Sequence, residues 1–138
     1  MIFKSYELNK IDLSLNKIFL FFGKNEGLKN EALSIIVKNK DNISSYEEKE
    51  ILDNENNFIE NILSKSLFDP QKFIVIKRAT DKLFKIIEIL NSKNLDDTVI
   101  IINSDNLEKK SKLRSFFEKD KKLVCVPFIL IMIKLYPN

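Results

Sequence analysis

Residues 17–36, KIFLFFGKNEGLKNEALSII, decide the fold. The first six are an almost unbroken apolar run that ends at Gly23, and such runs are typical of strands buried on both faces of a sheet. From Gly27 onward the apolar residues recur at steps of three and four, as they do on one face of a helix. The stretch therefore predicts a buried strand, a short turn and an amphipathic helix.

The same alternation continues along the chain. Further strands are predicted at residues 43–46, 72–77, 98–102 and 123–126. Helices are predicted at residues 53–68, 81–90 and 108–119, and the acidic stretch 47–57 is predicted to be solvated. Because strands and helices alternate, we expect one α/β domain with a three-layer parallel sheet of the P-loop NTPase type.

The composition excludes several classes of enzyme. The chain has 138 residues, 44% hydrophobic and 31% charged, which suits one globular domain with a buried core. It has no histidine and one cysteine, so zinc sites, Cys-His dyads and Ser-His-Asp triads are excluded. Cys125 lies in an apolar run and is predicted to be a buried strand residue.

Charge and terminal segments bear on the partners and the compartment. The net charge is +3, but the lysines accompany abundant asparagine and isoleucine, a composition that A/T-rich codons produce. The charge is therefore weak support for a nucleic-acid partner. The N-terminus lacks the apolar core of a secretory signal, and the apolar tail at 128–133 is shorter than the ~20 residues of a membrane span. We expect a cytoplasmic protein that does not bind membranes.

Residues 23–30, GKNEGLKN, occupy the position of a phosphate-binding loop between strand and helix. Aligned on G-x-x-x-x-G-K-[ST], Gly23 and Lys29 fit the first glycine and the lysine. Leu28 fills the second glycine position although Gly27 precedes it, and Asn30 replaces the hydroxyl residue that ligates Mg²⁺. We expect a degenerate loop with a structural role, no cofactor and no metal. A divergent P-loop kinase or ATPase, supported only by Lys29, is the alternative.

Three stretches, in order, resemble the delta subunit of the bacterial DNA polymerase III clamp loader. Residues 21–28, FFGKNEGL, look like its Y-G-x-[DE]-x-[FL] opening. Residues 66–76, SLFDPQKFIVI, are similar to its S-L-F followed by a turn and a buried strand, and residues 107–113, LEKKSKL, resemble its L-D-K-R-S-K-L. Order and spacing agree over residues 17–128. The resemblance implies an AAA+-type domain without ATPase activity.

The resemblance also implies a function in DNA replication. A delta subunit binds the ring-shaped sliding clamp (beta) and helps to open it within the DNA polymerase III holoenzyme, a DNA-directed DNA polymerase and hence a nucleotidyltransferase. Neighbouring ATPase subunits and delta-prime complete the loader, which surrounds primed DNA. The clamp-binding element carries over to Ser66, Leu67 and Phe68, although Leu63 stands where the family often has glutamine. The other interpretation is that Leu67 and Phe68 join the core.

Two features have less definite meanings. The basic residues of the last helix are either a contact for DNA or another subunit, or a solvated helix face: Lys109, Lys110, Lys112 and Arg114. The resemblance implies that residues 1–128 form the first domain of a delta subunit, that the apolar residues 129–138 are an atypical tail, and that the lid and collar domains of a delta subunit are absent. A frameshifted or truncated reading frame, a fragment of a longer protein and a nonfunctional remnant are the open interpretations.

Overall fold

The computed structural model describes residues 1–37, 43–64, 71–95 and 97–128. The strands in this part of the chain are β1 (Ile18–Phe22), β2 (Ile43–Glu47), β3 (Lys72–Lys77), β4 (Thr98–Ser104) and β5 (Val124–Pro127). They form one sheet in the order β2-β3-β4-β1-β5, and every neighbouring pair is parallel. The predicted α/β fold with a parallel sheet is confirmed.

Helices cover both faces of the sheet. The α-helices in the described residues are α1 (Glu26–Ile36), α2 (Glu48–Asp53), α3 (Glu55–Leu63), α4 (Phe84–Asn91) and α5 (Lys112–Lys119). Short 3-10 helices lie at Ser5–Lys10 and Asp81–Leu83. One face packs against α1 and the N-terminal 3-10 helix, and the other packs against α2 to α5. This arrangement gives the three layers.

Strand β1 explains why the stretch at 17–22 is so apolar. It lies between β4 and β5, and all five of its residues are buried. Phe19 and Phe21 face α1, whereas Ile18, Leu20 and Phe22 face the other layer of helices. A strand covered on both faces needs apolar side chains at successive positions, and this strand has them.

The acidic stretch at 47–57 differs from its prediction. Helix α2 begins at Glu48, and both Glu48 and Ile51 are buried. The Glu48 carboxylate accepts hydrogen bonds from the Thr80 backbone N–H and from Thr80 Oγ1, the latter at 2.8 Å. The prediction that this stretch is solvated is therefore wrong at these two residues, because a partner 32 positions away satisfies the carboxylate.

The last helix starts later than predicted. Helix α5 begins at Lys112 rather than at residue 108, because Ser111 caps it: Ser111 Oγ accepts from the Arg114 backbone N–H at 3.2 Å. Helix α3 ends at Leu63, and residues 65–68, the last part of the helix predicted at 53–68, lie outside the described residues.

The β5 edge of the sheet is covered by the N-terminal residues. The Phe3 backbone N–H donates to the Cys125 carbonyl at 2.9 Å, and the Cys125 N–H donates to the Met1 carbonyl at 2.8 Å. Cys125 is fully buried as predicted, and this burial raises the pKa of its thiol to about 12. Among the described residues, no helix combines the length and apolarity that crossing a membrane requires.

Candidate functional site

The connection from β1 to α1 lies at the carboxyl end of the parallel strands, where α/β proteins bind ligands. It contains only Gly23, Lys24 and Asn25, because α1 already begins at Glu26. Asn25 caps the helix, since its side chain accepts from the Leu28 backbone N–H at 3.1 Å. Gly27, a member of the predicted degenerate loop, is therefore in the first helical turn.

Gly23 is held where no other residue fits. Its φ of +121° lies in the region that favours glycine. A Cβ at this position would be 2.1 Å from the Phe128 carbonyl oxygen. Phe128 is fixed in turn, because its N–H donates to the Phe22 carbonyl at 2.7 Å and its ring meets the Phe21 ring edge-on at 5.1 Å. Main chain thus fills the space directly against Gly23.

Lys29, the residue that matches the lysine of a phosphate loop, is directed into the protein. Its side chain is 1% exposed. Its Nζ donates to Asn103 Oδ1 at 2.9 Å and to the Ser104 carbonyl at 2.7 Å, and it pairs with Glu26 Oε1 at 3.2 Å. These acceptors satisfy all three ammonium hydrogens. The charge is therefore used to join α1 to the end of β4.

Sequence reasoning missed Asn103 as the partner of Lys29. The residue follows the apolar core of β4, where an acidic residue would hold Mg²⁺ in a working nucleotide site. An amide at that position accepts one hydrogen bond from the lysine without adding a charge. Its position directly after the apolar run at 98–102 was the signal that could have identified it. Within the described residues, no cluster of three or more His, Cys, Asp or Glu could hold a metal ion.

The start of α5 is fixed by Asp81, another residue that the sequence analysis did not select for a site. Its carboxylate accepts from Ser111 Oγ at 2.5 Å and from the backbone N–H groups of Lys112 and Leu113 at 3.2 Å each. Partial burial acts to raise the pKa of Asp81, but these hydrogen bonds outweigh it and the pKa is lowered. Since Ser111 and Lys112 start α5, the LEKKSKL stretch at 107–113 includes the N-terminus of this helix.

The four basic residues predicted as a contact do not form one uniform patch. Lys109, Lys110 and Lys112 are exposed. The Arg114 side chain is 19% exposed and donates to Glu118 Oε2 at 3.2 Å and to the Leu107 carbonyl at 2.7 Å. Its guanidinium carbon also lies 4.7 Å from the centroid of the Phe22 ring. Arg114 is thus engaged within the domain.

The predicted clamp-binding residues Ser66, Leu67 and Phe68 lie outside the described residues, as do residues 129–138. The structure does locate the residues on either side of the segment 65–70. Helix α3 ends just before Ser64, β3 begins at Lys72, and Lys72 Nζ donates to the Ser64 carbonyl at 3.5 Å. Ser64 and Lys72 are therefore at the amino end of β3. The amino-terminal ends of the parallel strands form the amino edge of the sheet, which lies opposite to Gly23.

No protein-family model and no curated protein matches this sequence. Among solved structures, the chain is similar to the Bacillus subtilis DNA clamp loader delta protein (YqeN), with a TM-score of 0.65 and 17% sequence identity. The match covers 90% of this chain and 41% of that protein, in its N-terminal portion. The chain therefore has the fold of the N-terminal part of a clamp-loader delta protein and spans less than half of that protein's length.

Proposed function

We propose that this domain is a delta-type module of a bacterial clamp loader. In this role it binds the sliding clamp and helps to open it during DNA replication in the cytoplasm, and it does not hydrolyse ATP. Its partners would be the clamp, the ATPase and delta-prime subunits and, indirectly, primed DNA. The chain would belong to a DNA polymerase complex by association and would not itself transfer nucleotides.

One observation carries the proposal. The fold is of the nucleotide-binding type and is similar to a clamp-loader delta protein, but the lysine that matches the phosphate-loop pattern is hydrogen-bonded within the domain. Lys29 bonds to Asn103, Ser104 and Glu26, and the Phe128 carbonyl packs against Gly23. Phosphate binding would require both places to be free. These bonds support a scaffold that has kept the nucleotide fold and acts through protein contacts. They also leave Lys29, the one feature that favoured a P-loop enzyme, with all its ammonium hydrogens already bonded.

The contact itself is proposed for Leu67 and Phe68, with Ser66 preceding them. Two large apolar residues directly before Asp69-Pro70 suit insertion into a pocket of a partner, because proline ends the helical pattern there. Burial of each side chain is worth ~1.5–3 kcal/mol. Two such residues can supply much of the affinity of an interface.

The test is calorimetric titration of the chain with the sliding clamp of the same organism. The double variant Leu67→Ala with Phe68→Ala should lose most of the binding, by a factor of about 100 or more. A matched control is Leu28→Ala with Ile89→Ala, which truncates two exposed aliphatic residues elsewhere and should bind like the wild type. Circular dichroism would check that all variants fold. Undiminished binding by the folded Leu67/Phe68 variant would overturn the assignment.

A further inference from the structure

A cavity lies at the amino end of the sheet, the edge at which Ser64 and Lys72, on either side of the segment 65–70, are found. Its volume is about 390 Å³, within the range of sites that bind small molecules or inserted side chains. Three parts of the chain form it: residues 14, 15, 17 and 18 at the start of β1, residues 90–95 at and after the end of α4, and residues 122–123 before β5.

The described charged residues of this cavity have one sign. Lys17, Lys93 and Lys122 line it, and no aspartate or glutamate among the described residues does. Lys122 Nζ donates to the Asn91 carbonyl at 3.2 Å. Within the described part of the chain, the ammonium groups of Lys17 and Lys93 have no hydrogen-bond or ion-pair partner. The Lys93 ammonium is thus free to pair with an anion, and the Lys17 ammonium acts on nearby Asp12 only by its charge, without a direct ion pair.

Two described carboxylates in the neighbouring turns already accept hydrogen bonds. Asp120 accepts from Asn91 Nδ2 at 3.0 Å and from the Lys122 and Leu123 backbone N–H groups at 2.7 and 3.2 Å. Asp12 accepts from the Ser14 N–H and hydroxyl at 2.9 and 2.6 Å. Asp97, just before β4, is exposed and is not among the residues that line the cavity, and Asp96 lies outside the described residues.

The cavity also has an apolar side. Leu15 lines it and is 71% exposed, so its side chain is accessible to a partner. The buried Leu90, Leu95 and Leu123 form the apolar part of the wall. Lysines around an aliphatic surface suit a segment that carries both carboxylates and an apolar side chain.

The sheet places this cavity at the same edge as the described residues that flank the proposed clamp-binding segment. The β3 residue Lys72 is paired with Thr98 of β4, and the next strand, β1, starts after Lys17. Neighbouring strands are about 4.8 Å apart, so Lys72 and Lys17 are separated by two strand spacings, about 10 Å. The cavity and both described ends of the segment 65–70 therefore belong to one edge.

We propose that this amino-terminal edge is a second contact surface for the clamp. It would bind an acidic segment of that partner, with carboxylates paired to Lys17 and Lys93 and an apolar side chain against Leu15. This inference rests on the proposed function. The lysines would mainly speed association, because charges at the rim of an interface steer the encounter of the partners.

The experiment measures association and dissociation rates of the full chain with the clamp at low and high salt. The variant Lys17→Gln with Lys93→Gln should bind about tenfold more weakly at low salt, with most of the loss in the association rate and a smaller difference at high salt. The matched control is Lys49→Gln with Lys85→Gln, which removes the same charge from exposed positions on α2 and α4 and should stay within about twofold of the wild type.

The outcomes separate the two proposals. Equal effects of both lysine pairs would overturn the second surface, whatever Leu67→Ala with Phe68→Ala does. A loss confined to the Lys17/Lys93 pair would support it even if the Leu67/Phe68 variant bound normally, in which case only the assignment of Leu67 and Phe68 would fail. If the wild type did not bind the clamp, both proposals would be wrong. If inorganic phosphate instead shifted the NMR signals of the backbone amides around the cavity, the cavity would be a site for free anions and the second contact surface would be wrong.

Discussion

Lys29 carries a charge almost completely removed from water, so its ammonium group needs acceptors inside the protein. It finds them in Asn103 and Ser104 at the end of β4 and in Glu26 one helical turn back. Gly23 is fixed as closely, by a positive φ and by the Phe128 carbonyl. The same two positions in a working phosphate loop would face a ligand. In this chain they stabilise the domain.

The two glycines allow a matched test of this interpretation. Gly23→Ala should destabilise the domain by more than about 2 kcal/mol, because a Cβ would collide with backbone and the φ of +121° disfavours alanine. Gly27→Ala should instead stabilise it by about 0.5–1 kcal/mol, since residue 27 is helical and its Cβ would meet nothing closer than Asn25 Oδ1 at 3.7 Å. Urea unfolding measures both. Equal effects would contradict the role assigned to Gly23.

At the scale of elements, the sequence pattern correctly predicted the features that depend on residues close together in the chain. The apolar run before Gly23 was correctly predicted as a buried strand, because a central parallel strand is covered on both faces. The acidic stretch was misjudged because Glu48 bonds to Thr80, which is distant in sequence. The partners of Lys29 and Arg114, namely Asn103 and Phe22, are also distant and become neighbours only through the sheet order. The role of residues 66–68 stays a prediction.

The Asp81 cap of α5 predicts a dependence of stability on pH. The folded-state pKa of Asp81 is lowered, so its stabilisation is present above the unfolded-state pKa of about 3.9 and is lost as the pH falls through the folded value. Asp81→Asn should cost about 1 kcal/mol near neutral pH and should reduce the loss of stability below about pH 4. Urea unfolding across this pH range measures both effects.

The control for this prediction is Asp53→Asn, at the exposed end of α2. It makes the same chemical change at a position whose carboxylate caps no helix among the described residues. It should leave both the stability at neutral pH and the slope below pH 4 close to those of the wild type. An identical response of the two variants would show that the bonds to Ser111, Lys112 and Leu113 do not stabilise α5.

At the scale of the whole molecule, the two edges of the sheet differ. At the carboxyl edge, Phe128 and Lys29 close the place where a nucleotide would bind. At the amino edge there is a cavity lined by lysines and an exposed leucine, at the same ends of the strands as Ser64 and Lys72. This arrangement favours a protein partner over a nucleotide as the ligand of the domain, in line with the proposed function. The difference between the edges predicts how the chain responds to ATP.

The chain should not bind Mg-ATP at millimolar concentration. A dissociation constant equal to the ATP concentration would stabilise the fold by about 0.4 kcal/mol and raise the Tm by about 1–2 °C, so a thermal melt with and without Mg-ATP is sensitive enough. We expect no shift, and equilibrium dialysis should show no retained nucleotide. A shift in the wild type that disappeared in Lys29→Met would contradict the closed loop, because it would require Lys29 to leave Asn103 and Ser104 for the phosphates. A shift that persisted in Lys29→Met would place ATP elsewhere on the domain and leave the closed loop intact.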